Sequence, residues 1–204
     1  MIIGITGGIG SGKSTIVTEI ARRGYAVYDC DREAKRIIAE DAAVRKAIID
    51  LLGDEAFLTS HNDNGLTSRI YNTAYVAQRV FDDPALLERL NAIVHPAVRA
   101  DILQRSGLLF VESAILFEAG LDELCEGIVI VDAPEEVRIA RVIARDYNGE
   151  ASPENINKVR ARVRSQFVTY PADTNNKALH VINDGRTSIS ELADRIIRQY
   201  CAAS

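Results

Sequence analysis

The 204-residue sequence contains no tryptophan, one methionine, five prolines and only three cysteines. Thirteen glycines and five prolines are too few for collagen-like or low-complexity architecture. Cys30, Cys125 and Cys201 are odd in number and far apart, which argues against a disulfide framework and a structural zinc site. Such cysteine usage is typical of a reducing cytosol, and we expect a cytoplasmic location.

Long apolar runs and an excess of positive charge are also missing. No stretch of about 18 apolar residues occurs, and the start at Met1 has no basic segment or cleavage site, so we expect neither a membrane span nor a signal peptide. The net charge of −5 argues against nucleic-acid binding by bulk positive charge. Hydrophobic residues make up 47% of the chain, so we expect a globular protein. We also expect a monomer or weak oligomer, without nucleic-acid or membrane partners.

Short apolar runs alternate with helical patterns along most of the chain. The strand-like runs cover residues 2–6, 26–28, 108–111, 127–131 and 179–182. Helical spacing begins at Lys13, after Pro134, after Ser152 and after a capping box formed by Ser188 and Glu191. This alternation predicts an α/β fold with a parallel sheet flanked by helices.

Residues 32–105 interrupt that alternation. The sequence predicts helix from Arg32 to about Ala56, a turn over residues 61–65, and helix again from Thr67 to about Arg105. Prolines in Asp83-Pro84 and His95-Pro96 predict two breaks in the second helical stretch. We therefore expect an inserted, all-helical subdomain.

Residues 7–14 read GGIGSGKS and match the P-loop pattern G-x-x-x-x-G-K-[ST]. Glycines let backbone N–H groups converge on phosphate oxygens, and the following helix points its positive end at the same anion. A dinucleotide fingerprint fails because Lys13 stands where its third glycine would be. A glycine turn that binds nothing is the remaining alternative.

In a P-loop, Lys13 reaches the β- and γ-phosphates and the Ser14 hydroxyl coordinates Mg²⁺. We therefore predict ATP as phosphoryl donor, with Mg²⁺ as cofactor and Ser14 as its ligand. The predicted ATP-binding residues are Gly8, Ile9, Gly10, Ser11, Gly12, Lys13, Ser14 and Thr15.

Carboxylates follow two of the strand-like runs. Asp29 and Asp31 lie at the carboxyl end of the second run, where open parallel sheets bind ligands, and strand alternation would point both side chains the same way. A carboxylate there can accept a hydroxyl proton, although Asp31 could instead cap a helix that begins at Arg32. Glu112, after the third run, could hold water on Mg²⁺.

Basic residues are concentrated between positions 138 and 164. On a helix, Arg138, Arg141 and Arg145 would share one face. Cations on a mobile segment suit a lid that closes over transferring phosphate, and a solvated basic surface is the alternative. The cluster comprises Arg138, Arg141, Arg145, Lys158, Arg160, Arg162 and Arg164.

From these residues alone, two functions stay open. The small size and the helical insert favour a small-molecule kinase, and the acceptor could be a nucleoside or a nucleotide. A non-catalytic nucleotide switch requires Asp31 to be only a helix cap and the arginines to be only surface. His95, before Pro96, is either a helix-end residue or a ligand contact.

Several ordered motifs resemble those of the dephospho-CoA kinase family, and together they cover roughly residues 1 to 166. After Gln166 the chain departs from the family pattern, because residues 167–177 form a segment about two residues longer than usual. The matching pieces are the long P-loop Thr6–Thr15, the D-x-D of Asp29–Asp31, the L-N-x-[IL]-x-H-P of Leu90–Pro96, the L-[FV]-E of Leu116–Glu118 and the R-x-x-x-R-D of Arg141–Asp146.

The resemblance implies ATP-dependent phosphorylation of the ribose 3′-hydroxyl of dephospho-CoA, giving CoA and ADP. It implies that Asp31 is the catalytic base and that Lys13 and Arg141 stabilise the transferring phosphoryl group. The implied fold has a P-loop NTPase core (1–31, 106–140 and 176–204), a helical acceptor-binding subdomain (32–105) and a lid (141–175). The implied acceptor-binding residues are Thr6, Asp31, His95, Leu116, Phe117, Glu118 and Arg145.

Overall fold

The computed structural model of the chain describes residues 1–61, 67–166 and 178–201. The strands are β1 (Ile2–Thr6), β2 (Ala26–Asp29), β3 (Phe57–His61), β4 (Thr67–Tyr71), β5 (Leu109–Glu112), β6 (Gly127–Asp132) and β7 (Ala178–Ile182). The helices are α1 (Lys13–Arg22), α2 (Cys30–Glu40), α3 (Ala42–Leu52), α4 (Thr73–Phe81), α5 (Pro84–Leu103), α6 (Glu135–Asp146), α7 (Pro153–Ser165) and α8 (Ile189–Cys201).

The chain divides into two compact units. The first comprises Met1–Asp29 and Ser106–Ser204, and the second comprises Cys30–Arg105. The second unit contains the predicted insertion, residues 32–105. Residues 141–166 of the predicted lid belong to the first unit, and residues 167–175 lie outside the described part of the chain.

The first unit is built on a parallel sheet of five strands in the order β2-β5-β1-β6-β7. This confirms the predicted α/β class. β1 lies in the middle, and the chain order of the strands reverses beside it. Ligands of such sheets bind outside the carboxyl ends of the strands at this point, so the loop after β1 is the expected site.

Apolar side chains of the sheet and of two helices form the core of this unit. Ile3 and Ile5 of β1 are fully buried, as are Ile16 and Ile20 of α1, one helical turn apart. α1 ends where predicted, because Gly24 adopts a left-handed φ of 89° just after the helix. The predicted capping box is also present: Glu191 N–H donates to Ser188 Oγ, and Ser188 N–H donates to Glu191 Oε2.

In the second unit the prediction of an all-helical stretch is wrong. β3 and β4 form an antiparallel hairpin in which Phe57 is opposite Tyr71 and Leu58 is opposite Ile70. Phe57 is buried and its ring lies 5.5 Å from that of Tyr71, whereas Leu58 and Ile70 are each 53% exposed. Adjacent side chains therefore lie on opposite faces of the hairpin, as they do in any β-strand. Residues 62–65 of the predicted turn lie outside the described residues.

The predicted break at His95-Pro96 is also wrong, because α5 continues through Pro96 to Leu103. A proline removes one backbone donor and usually kinks or ends a helix. Here the buried face continues on both sides of the proline, with Leu90 before it and Val98 and Ile102 after it. The other predicted break is confirmed: Asp83 caps α5 by accepting from Leu86 N–H, and Pro84 is its first residue.

The start of α2 also differs from the prediction. The helix begins at Cys30, directly after Asp29, so Asp31 is within its first turn and does not precede it as a cap. Strand alternation therefore ends at Asp29 and does not determine the direction of the Asp31 side chain. Among the helices of the described residues, none is both long and apolar enough to cross a membrane.

Candidate phosphate-binding site

The loop between β1 and α1 has the backbone that its glycines allow. Gly10 and Gly12 have left-handed φ angles of 77° and 89°. A Cβ on Gly10 would lie 2.6 Å from the carbonyl oxygen of Arg138, so helix α6 approaches the loop closely. The first N–H groups of a helix have no intrahelical acceptor, and the start of α1 at Lys13 therefore offers donors to an anion.

Three polar side chains lie in or next to the loop. Lys13 Nζ donates to the carbonyl oxygen of Gly7 at 2.6 Å, which places the ammonium group across the loop. The hydroxyls of Thr6 and Ser11 are fully buried, and neither has a hydrogen-bond partner within the described residues. Thr6, predicted to bind the acceptor, thus lies beneath the loop at the end of β1.

On its other side, the loop is held by α6 and by the residue after β7. Arg138 Nε donates to the carbonyl of Ile9 at 2.9 Å. Arg141 Nη1 donates to the carbonyls of Gly10 and Ser11 at 3.3 and 3.2 Å. Asn183 Nδ2 donates to the same Ser11 carbonyl at 2.9 Å, and Asn183 Oδ1 accepts from Arg141 Nη2 at 3.0 Å. We call Arg138, Arg141 and Asn183 the carbonyl clamp.

Ile9 ties the loop to the pair formed by α6 and α7. Its side chain packs against a buried cluster that includes Ile139 and Val163. Its N–H donates at 3.0 Å to Oε1 of Gln166, which caps the carboxyl end of α7. The predicted lid helices therefore contact the phosphate-binding loop directly within this unit.

A hydroxyl and two carboxylates lie at the carboxyl ends of β2 and β5. Ser14 Oγ donates to Glu112 Oε1 at 2.7 Å. Glu112 ends β5 and is opposite Asp29 in the register of the parallel pair β2 and β5. Side chains of directly opposite residues are on the same face of a sheet, so the sheet register places Asp29 beside Glu112.

The basic residues of α6 and α7 divide into two groups. Arg138 and Arg141 contact the loop, whereas the other five form ion pairs with carboxylates. Asp146 accepts hydrogen bonds from Arg145 and Arg162, which lower its pKa to about 2. Lys158 pairs with Glu154, Arg164 with Glu135, and Arg160 with Glu135 and Glu136.

The predicted acceptor residues are divided between the two units. In the first unit, Leu116 is fully buried against Gly4 of β1, while Phe117 is half-buried and Glu118 is exposed. In the second unit, Asp31 is exposed on α2. His95 is half-buried within α5, and its burial lowers the pKa of the imidazole.

Comparison with known proteins agrees with this geometry. Residues 1–189 match the dephospho-CoA kinase family. The chain is 36% identical to the dephospho-CoA kinase of Salinibacter ruber over 212 residues, covering 99% of this chain and 97% of that protein. The chain belongs to the dephospho-CoA kinase family.

Two further dephospho-CoA kinases are similar. The protein of Porphyromonas gingivalis is 40% identical over 149 residues, covering 71% of this chain and 69% of that protein. The solved structure of the Campylobacter jejuni enzyme superposes with a TM-score of 0.65 at 21% identity, covering 99% of this chain and 98% of that chain. That superposition supports the fold, and the family assignment comes from the sequence matches.

The sequence interpretation missed part of the dephospho-CoA kinase site. The sequence patterns assign no role to Asn183, and Gln166 marks only the point after which the chain departs from the family pattern. Both side chains contact backbone atoms of the loop, 172 and 157 residues away along the chain. The asparagine had one weak signal, since a polar amide directly after an apolar strand marks the edge of the sheet where ligands bind.

Proposed function

We propose that this chain transfers the γ-phosphoryl group of ATP to the ribose 3′-hydroxyl of dephospho-CoA, giving CoA and ADP. The observation that carries the proposal is the phosphate-binding loop, with Lys13 folded across it and its carbonyls held by α6, in a chain that matches the dephospho-CoA kinase family over residues 1–189. The transition state of such a transfer is loose, so the protein contributes position and charge rather than covalent chemistry.

The donor side of the reaction belongs to the loop. Backbone N–H groups at the start of α1 bind phosphate oxygens, and Lys13 exchanges its contact with Gly7 for the β- and γ-phosphates. The guanidinium of Arg141 keeps a positive charge beside the loop, and this charge favours the phosphoryl group as negative charge shifts towards the leaving oxygen. Gly8 to Thr15 form the remainder of the ATP site.

The oxygens of Ser14, Glu112 and Asp29 fit Mg²⁺. Magnesium prefers hard oxygen ligands and usually keeps several waters, with one or two carboxylates and substrate phosphates completing its shell. Among the described residues there is no group of three or more His, Cys, Asp or Glu side chains that could hold a metal ion. Ser14 would hold the ion as a direct ligand, Glu112 and Asp29 would orient its waters, and the bound ion would neutralise phosphate charge.

On the acceptor side, Asp31 is the base. Its carboxylate takes the proton of the 3′-hydroxyl while the hydroxyl oxygen bonds to the γ-phosphorus. The bond from that phosphorus to the β–γ bridging oxygen breaks, and ADP leaves with the electron pair. His95, Phe117, Glu118 and Arg145 contact dephospho-CoA in this proposal, whereas Thr6 and Leu116 are fully buried.

A coupled assay of ADP release over a panel of acceptors tests the proposal. We expect dephospho-CoA to release ADP far faster than adenosine, other nucleosides or nucleoside monophosphates, and Lys13→Ala serves as the blank. Release with a nucleoside but not with dephospho-CoA would favour another small-molecule kinase. ATP binding without acceptor-dependent ADP release would favour a nucleotide switch.

The three free cysteines of the described residues support a reducing, cytoplasmic location.

A further inference from the structure

We infer that Asn183 is a positioning residue for ATP: it holds the Ser11 carbonyl on the clamp side of the loop and thereby turns the Gly12 N–H towards the phosphates. The residue lies just after β7, and its side chain is 2% exposed. Its backbone N–H donates to the carbonyl of Asp132 at 2.7 Å, which fixes the asparagine to the end of β6. Both ends of the carboxamide are bonded, one to Ser11 and one to Arg141.

The geometry of a peptide unit links the Ser11 carbonyl to the N–H of Gly12. In a trans peptide the C=O of one residue and the N–H of the next point in opposite directions, and the described residues contain no cis peptide bond. Asn183 and Arg141 both bind the Ser11 carbonyl, so the N–H of Gly12 points away from the clamp. In the same way, the bond from Arg138 to the Ile9 carbonyl directs the N–H of Gly10 away from the clamp.

The loop needs such an external hold because glycines flank the peptide units concerned. Gly10 and Gly12 lie on either side of Ser11, and glycine rotates freely between backbone regions that other residues avoid. Ser11 itself bonds within the loop only through its N–H, which donates to the Gly8 carbonyl at 3.2 Å. Without the clamp, the Ser11–Gly12 peptide would sample orientations in which its N–H cannot meet phosphate.

Close packing at Gly12 shows that the asparagine and the loop fit each other. A Cβ added at Gly12 would collide with Nδ2 of Asn183, so the amide nitrogen lies directly against the glycine. Two features therefore require glycine at position 12: its φ of 89°, which other residues rarely adopt, and the Asn183 amide, which leaves no room for a Cβ. Both hydrogen bonds of the buried Asn183 amide go to the loop or to Arg141 of the clamp. We therefore infer that the amide orients the backbone N–H donors of the site and does not contact substrate.

The test compares Asn183→Ala with Asn72→Ala. Asn72 is a matched control because its amide also makes two bonds, both within the second unit: it accepts from Tyr75 N–H at 3.2 Å and donates to the Glu55 carbonyl at 3.0 Å. For Asn183→Ala we expect the Kd of ADP and of inorganic pyrophosphate to rise about tenfold, as loss of one or two oriented donors predicts. The KM of ATP should rise similarly while the KM of dephospho-CoA stays unchanged.

Asn72→Ala should leave the Kd of both phosphate probes unchanged, although its thermal stability falls. Pyrophosphate has neither ribose nor adenine, so weaker binding of this probe locates the loss at the phosphates. Asn183→Ser, which keeps a small polar side chain too short to reach Ser11, repeats the measurement if the alanine variant does not fold. Pyrophosphate affinity within twofold of the unmodified protein in a folded Asn183 variant, or equal losses for ATP and dephospho-CoA, would overturn the inference.

Discussion

Ser14 and Glu112 are joined by a hydrogen bond of 2.7 Å between hydroxyl and carboxylate, although 98 residues separate them along the chain. The bond connects the first turn of α1 to the carboxyl end of β5, the strand beside β1 in the sheet. It couples the Ser14 hydroxyl of the P-loop to the Glu112 carboxylate at the end of the neighbouring strand. That relationship gives the first of four predictions.

Ser14→Ala and Glu112→Gln should shift the magnesium titration of activity in the same direction, towards higher Mg²⁺. The serine supplies an oxygen ligand and the glutamate orients that oxygen and metal-bound water. Because the two act together, the double variant should lose little more than the worse single variant. Strictly additive losses, or a titration identical to that of the unmodified protein, would remove the pair from the metal site. Chelation of Mg²⁺ with EDTA should abolish turnover in all four proteins.

Lys13→Ala should lower kcat by orders of magnitude, because a positive charge directed at the β- and γ-phosphates is lost from a site with little water. Lys46→Ala is the control, since Lys46 is an exposed helix residue paired with Asp50 at 2.6 Å. Steady-state ADP release measures both. Unchanged turnover in Lys13→Ala would contradict the phosphate assignment.

Asp31→Asn should lower kcat by about 10²–10⁴-fold, the usual contribution of a positioned base, with little change in ATP affinity. Asp29→Asn should cost less in rate and should instead alter the Mg²⁺ requirement, because Asp29 is opposite Glu112 in the sheet register. The measurement is kcat with nucleotide Kd for each variant. Equal and mild losses in both variants would mean that neither carboxylate is the base.

Asp146 should make the contact between α6 and α7 sensitive to acid. Hydrogen bonds from Arg145 and Arg162 lower its pKa to about 2 from an ordinary value of 3.8, so the folded chain binds this proton less readily than the unfolded chain. The stabilisation is fully present above pH of about 4 and is lost as the pH falls through about 2. The difference in Tm between the unmodified protein and Asp146→Asn should therefore shrink across that range. A Tm difference that stays constant from about pH 5 to about pH 2 would show that the charge of the Asp146 carboxylate contributes nothing to stability. A carboxyl group titrates within about 1 pH unit on either side of its pKa.

Several predictions from the sequence depended only on local chemistry, and those agree with the structure. The strand before the P-loop, the helix that begins at Lys13 and the capping box at Ser188 each follow from residues a few positions apart. The hairpin of β3 and β4 was missed because each strand has only five residues, and so short a run fits helical and strand spacing about equally well. Pro96 was misjudged for a related reason: packing of α5 on both sides of the proline outweighed a local preference.

The sequence by itself determined the P-loop, with its lysine and its serine, because the pattern GGIGSGKS dictates a backbone within eight consecutive residues. Only the tertiary structure decided what holds that loop. Arg138, Arg141, Asn183 and Gln166 reach its backbone from 129 to 172 residues away. Their contacts depend on the parallel order of the strands, which brings the ends of β1, β6 and β7 to one edge of the sheet. Every residue has a backbone carbonyl, whatever its side chain. A residue that binds the carbonyls of the loop therefore leaves no pattern in the sequence of that loop.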